Sequence, residues 1–239
     1  MRNFGNDNKY QFDAHQNEEW FEVHSTAVTN TNPGSMVHVT IDVTPICPNM
    51  TDNEFRVIAK RLLGWAVTLV ERRIGDLNRN DAATKQRMMY WFNRTDDSTR
   101  QYLLAGFSRH LAALRDLTPA CLVRSDPDLD RMLGCMPNLK NVDREAAHVC
   151  GPNTERRLIS IGMKFCNGLR DQNMFGDSRL STLIHEVTHF SDTFGSGDRR
   201  YGLDPTAAEW ARNNPDEALR NADTLAGYVV YGEPLFATQ

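Results

Sequence analysis

SRLSTLIHEVTHFSDTFGSGDRRYG occupies residues 178–202, and its reading decides how the rest of the chain is understood. Within it, His185-Glu186-Val187-Thr188-His189 is an HExxH motif. In a helix, residues i and i+4 lie one turn apart on one face, so His185 and His189 can turn imidazole nitrogens toward a single zinc ion. Glu186 projects beside them, placed to hold and deprotonate a water rather than to bind metal. Leu180, Leu183, Ile184, Val187 and Phe194 recur close to the spacing of a helix with one buried stripe, and Asp177 or Ser178 can cap its start. The competing reading is a buried amphipathic helix whose histidines are satisfied by hydrogen bonds. Two histidines at i, i+4 with a glutamate between them favour the metal.

The chain has 239 residues, 40% of them hydrophobic, which is ample for a buried core. A net charge of -4 gives no basic face for nucleic acid or an anionic membrane, and neither is expected as a partner. No apolar run approaches the roughly 20 residues that span a bilayer, so no membrane insertion is expected. The first twenty residues are polar and lack the apolar segment of a signal peptide. The expectation is secretion or export by another route, with a cytoplasmic location as the alternative. Five cysteines (Cys47, Cys121, Cys135, Cys150, Cys166) are too dispersed for a CxxC site, and the odd count leaves at least one thiol unpaired within the monomer. Two disulfides plus a free Cys47 would suit an oxidising setting, and five thiols the cytosol.

Residues 1–35 lack periodicity and read as a loosely ordered arm; 36–239 read as a single domain. Met36 to Val43 alternates Val37, Val39, Ile41 and Val43 with polar residues, the period of a half-buried strand with His38 on its polar face. Thr51 to Glu54 form a capping box that opens a long helix ending near Gly75 to Asn78. Further helices are predicted over about 82–92, from Asp96 or Ser98 to Leu117, and beyond Pro205 and Pro215, the last through PDEALRNADTLAGYVV. Met88 to Phe92 and His110 read as core. Residues 118–153 read as irregular, with short strands at 146–150 and 158–165. Cys150 and Cys166, near the ends of that strand pair, are one pairing the layout allows. The fold class is α+β, predominantly helical, with a small β element ahead of the HExxH helix.

Catalytic zinc takes three protein ligands and keeps one position open, so a further ligand is required. A metzincin is excluded, because Asp192 and Gly195 stand where its Gly and third His would be. A gluzincin-type site would use Glu209 or Glu217 on a downstream helix. Asp198 is the better candidate, since Gly195-Ser196-Gly197 lets the backbone fold back toward the metal.

HEVTHF followed by Gly195-Ser196-Gly197-Asp198-Arg199-Arg200-Tyr201-Gly202 resembles the aspzincin pattern of the deuterolysin and peptidyl-lysine metalloendopeptidase family. Asn214 to Ala218 and Asn221-Ala222-Asp223 extend the resemblance, which covers about residues 50–232. It implies a zincin-like metalloprotease domain with one Zn2+, His185, His189 and Asp198 as ligands, Glu186 as general base and Tyr201 as hydrogen-bond donor to the transition state. It also makes Asp223 similar to the aspartate that lines the pocket for the residue after the cleaved bond in lysine-specific members. Those members carry a Glu three positions on, where this chain has Ala226.

The resulting expectation is a zinc-dependent endopeptidase acting on protein or peptide substrates, with a preference for Lys after the scissile bond as its finer form. The alternatives are a catalytically silent binding module, such as a secreted effector or toxin domain, and a structural zinc protein. A latent form blocked by Cys47 or the arm is a further expectation.

Overall fold

The computed structural model describes residues 44–140 and 144–237. The predicted arm and the strand at Met36 to Val43 lie outside them. Pro45–Gln239 forms a compact unit.

Three helices build its first layer. Helix α1 (Asp52–Arg79) begins at the Thr51 capping box: Glu54 N–H reaches Thr51 Oγ1 at 3.2 Å and Thr51 N–H reaches Glu54 Oε2 at 2.8 Å. It buries Phe55, Leu62, Ala66, Leu69, Val70 and Leu77 along one stripe and passes straight through Gly75, ending on the left-handed Asn80. Asp81 caps α2 (Ala82–Phe92), and Asp96 caps α3 (Asp97–Asp116), through the N–H of Thr84 and Thr99. Met88, Trp91 and Phe92 are core, whereas Met89 and Tyr90 are exposed.

The described residues of 118–153, namely 118–140 and 144–153, are more ordered than the sequence suggests. They hold strand β1 (Leu122–Arg124), helix α4 (Pro127–Met132) and strand β2 (Ala147–Val149). Strand β3 (Ile159–Ile161) sits between the other two, parallel to β1 and antiparallel to β2. Leu122, Ala147, Ile159 and Ile161 join the common core. The strand expected to continue to 165 stops at Ile161, and α5 (Met163–Asn167) follows.

The cysteines pair as Cys47–Cys166 and Cys135–Cys150, leaving Cys121 free. This corrects two expectations. Val149 lies opposite Ile159 in the antiparallel ladder, so Cys150 leaves one end of β3 while Cys166 follows the other, and they cannot meet. Cys47 is the buried partner of Cys166, so it is not a free thiol able to block a metal. No described helix is long and apolar enough to cross a membrane.

The remaining helices are α6 (Arg179–Thr188), α7 (Thr206–Asn213), α8 (Pro215–Ala218) and α9 (Ala222–Val230). Helix α6 packs against α1, α3, α9 and β2, which makes it the centre of the unit. Gly227 lets α9 approach α2: a Cβ there would fall 2.2 Å from the Trp91 ring. From α3, His110 donates its Nε2–H to the Ile184 carbonyl at 3.0 Å. Its complete burial pushes the imidazole down to about 4, so it is neutral in the fold.

Unfolding restores an ordinary imidazole that binds a proton near pH 6.5, so the unfolded chain takes up more protons between pH 6.5 and 4. Stability from this group is therefore complete above pH 6.5 and declines as pH falls toward 4, by about 3 kcal/mol in total. Denaturant unfolding at a series of pH values is expected to show this decline, with a slope shallower by about one proton in His110→Gln.

Candidate metal centre

Ser178 starts α6: its Oγ accepts from Ser181 N–H at 3.1 Å and its own N–H donates to Ser181 Oγ at 2.9 Å. Leu180, Leu183, Ile184 and Val187 then bury one face, each contributing roughly 1.5–3 kcal/mol. The helix ends at Thr188, with His189 at its C-cap, so Phe194 lies beyond it and packs on Phe107 instead. His185 and His189 stand one turn apart with ring centroids 4.8 Å from each other.

Beyond His189 the chain reverses. Gly195 has φ +57°, in the left-handed region that favours glycine, and its N–H returns to the Phe190 carbonyl at 3.1 Å. Ser196 N–H donates to the Thr188 carbonyl at 3.1 Å. Gly197 then pairs with Asn221 in an isolated parallel bridge, through Gly197 N–H to Arg220 O (2.9 Å) and Ala222 N–H to Gly197 O (3.0 Å). The Asn221 side chain completes the clasp. Its Oδ1 accepts from Arg199 N–H (2.8 Å) and Arg200 N–H (3.0 Å), and its Nδ2 donates to Arg200 O (3.1 Å) and Thr224 Oγ1 (2.9 Å). This is why the helix expected over PDEALRNADTLAGYVV is broken into α8 and α9: the Arg220 carbonyl and the Ala222 N–H are given to Gly197.

The clasp carries Asp198 to the two histidines. Asp198 Oδ1 lies 3.2 Å from His185 Nε2 and 3.4 Å from His189 Nε2, and the two Nε2 atoms are 3.1 Å apart. Both Nδ1 atoms face acceptors: Asp223 Oδ1 at 2.5 Å from His185 and the Ser196 carbonyl at 2.9 Å from His189. In the neutral imidazoles, with the ring protons on Nδ1, three lone-pair atoms face one another, and only a cation, a proton or a metal ion, eases their contact. Such a set calls for a cation. The edges also fit zinc, since a tetrahedron with bonds of about 2.0–2.1 Å has edges of about 3.3 Å. His185, His189 and Asp198 are the residues that group in this way among those described.

Burial disfavours charge on His185, but hydrogen bonds to Asp198 and Asp223 outweigh it and hold the imidazole well above its ordinary value. Burial pushes the Glu186 carboxyl up, opposed by the two imidazoles, with Oε1 3.9 Å from His185 Nε2. Tyr201, mostly exposed, is pushed up to about 12 by desolvation and by the Asp198 carboxylate beside its hydroxyl. Asp223 is on the far side of His185, its second oxygen taking Gly202 N–H at 2.5 Å. The gluzincin alternative fails on geometry. Glu217 pairs with Arg199 Nε at 3.2 Å and Glu209 is exposed on α7, so neither joins the histidines. The role of Asn221 is what the sequence reading missed; its signals are its place in the Asn221-Ala222-Asp223 segment and just before an apolar helical run.

A helix-dominated unit with a small sheet and a His, His, Asp cluster belongs to the class of metallopeptidase folds. Its fold resembles a solved zinc peptidase from Grifola frondosa, with a TM-score of 0.55 and 18% identity over 75% of this chain and 96% of that one. The family model described as lysine-specific metallo-endopeptidase, the aspzincins, matches residues 77–230, and the chain belongs to that family. A peptidyl-Lys metalloendopeptidase of Armillaria mellea is 49% identical over 47 residues, 20% of this chain and 13% of that protein. One from Pleurotus ostreatus is 48% identical over 48 residues, 20% of this chain and 28% of that protein. The matched segments thus span well under a third of the curated relatives. Zinc is the cofactor that the family and the donor set agree on.

Replacing Asn221 with Ala removes the partner of the Arg199 and Arg200 N–H groups and of the Arg200 carbonyl, all in a part-buried setting, at a cost of about 1–3 kcal/mol. Chemical denaturation is expected to show that loss, and zinc titration of the folded fraction is expected to show weaker binding because Asp198 is no longer held.

Proposed function

We propose that this chain is a zinc-dependent endopeptidase whose catalytic unit is the compact unit Pro45–Gln239. The observation that carries the proposal is the convergence of His185, His189 and Asp198 beside the buried carboxyl of Glu186. In this reading the two imidazoles and Asp198 hold the zinc. When bound, zinc supplies Lewis acidity, which acidifies water and draws electron density from a carbonyl oxygen. Glu186 takes a proton from the attacking water and returns it to the leaving amine; its raised pKa brings it nearer the working range of a general base. Tyr201 donates its phenolic hydrogen to the oxygen that gains charge as the carbonyl is attacked.

Two features support a polypeptide as the substrate. Strand β2 is an edge strand that pairs only with β3 among the described residues, and an extended peptide can add to such an edge. Just after β2, the Gly151 carbonyl accepts Ser191 N–H at 3.0 Å, so the edge runs toward the cluster. The two disulfides support secretion into an oxidising setting.

Glu186→Gln tests the mechanism. The variant is expected to fold and bind zinc like the parent while hydrolysing a denatured protein about 10²- to 10⁴-fold more slowly. Undiminished turnover by the zinc-loaded variant refutes the assignment. Zinc binding without any cleavage by the parent is what a catalytically silent module requires.

A further inference from the structure

We propose that Asp223 serves the metal and not the substrate, and that this chain therefore does not select lysine after the bond it cuts. The second clause rests on the peptidase reading; the first does not. The family is described as lysine-specific, and two relatives are named peptidyl-Lys metalloendopeptidases. Recognition of a lysine side chain after the scissile bond requires a carboxylate with an open face, desolvated enough for its charge to count.

Helix α9 carries one carboxylate, Asp223, and both its oxygens are engaged within the fold. Oδ1 lies 2.5 Å from His185 Nδ1, and Oδ2 takes Gly202 N–H at 2.5 Å. The side chain is 14% exposed. Leu225 and Ala226 on the next turn are completely buried and bring no charge. An ammonium drawn to Asp223 would compete with the bond that fixes the His185 ring. Such outer contacts are typically worth 10- to 100-fold in metal affinity, so binding lysine there would weaken the centre that does the chemistry.

The other carboxylates near the turn are already paired or stand in solvent. Glu217 meets Arg199, Asp204 meets Arg200, and Asp216 meets Arg94. Asp177 accepts Leu203 N–H at 3.2 Å and is exposed. An ion pair in that setting is worth about 0–1 kcal/mol, a preference of about fivefold at most.

Two measurements on the full chain test this. In the first, zinc affinity of the parent and of Asp223→Asn and Asp223→Ala is measured by competition with a chromophoric chelator, with circular dichroism as the check on folding. The expected result is a 10- to 100-fold loss in affinity. Affinity within twofold of the parent in either folded variant overturns the role of Asp223, whatever the activity. In the second, the zinc-loaded parent digests denatured proteins and the residue after every cut is identified. Lysine is expected there within about fivefold of its abundance, whereas any larger enrichment overturns the inference. A parent that cuts nothing removes the peptidase reading and with it the lysine clause, while the zinc measurement still decides what Asp223 does.

Discussion

The centre depends on one buried amide. Asn221 is completely buried, and its oxygen and nitrogen hold the backbone of Arg199 and Arg200 on either side of the peptide planes that follow Asp198. A carboxylate on a glycine-bearing turn would otherwise sample many positions, and ordering each such residue costs roughly 1–2 kcal/mol. Asn221 offsets that cost away from the metal, so the Asp198 oxygen stands ready for it. An aspartate in its place would accept the same two N–H groups but could not donate to Arg200 O and Thr224 Oγ1, and a leucine could do neither.

That clasp works only because α9 is fixed relative to α6, and both helices are fixed by shape. The Trp91 ring fills the place a side chain on Gly227 would take, while the apolar face of α6 buries Leu183, Ile184 and Val187 completely. From the other direction His110 binds the Ile184 carbonyl, one residue before His185. One helix thus presents the histidines and another, at its N-terminus, both the clasp at Asn221 and the carboxylate behind His185. The distances at the cluster are set by helix packing, and the ligand turn is fitted to it.

Much of this was legible in the sequence where the signal is local. The capping box at Thr51 to Glu54, the cap candidate at Asp96 and the apolar stripe of 180–187 mark α1, α3 and α6 because capping and periodicity act within a few residues. What sequence hid was long-range. Strand β1 has three residues and draws its stability from pairing with β3, thirty-seven positions away, so no periodicity announces it. The break between α8 and α9 opposes local propensity and exists for the bridge to Gly197. Cysteine pairing follows from which end of β3 each cysteine leaves, a fact of register. Nothing in the neighbours of Asp223 discloses that His185, thirty-eight residues earlier, lies against it.

The charges around the cluster explain why these constraints belong together. Glu186, which is buried, and Asp198 and Asp223, which are partly exposed, bring three carboxylates to one site, and two neutral imidazoles cannot balance them. Like charges this close are eased when a cation is shared among them. A proton on His185 meets part of the demand, which is the reason its pKa stands well above the ordinary value. A divalent ion meets more of it and must displace that proton to reach Nε2, so metal affinity and acidity oppose each other here. The same deficit keeps Asp223 at its post: its negative charge strengthens the His185 nitrogen as a donor to the metal. A substrate ammonium bound to that carboxylate would draw the charge away. In this site the carboxylate behind His185 would gain more by polarising a ligand than by meeting a side chain.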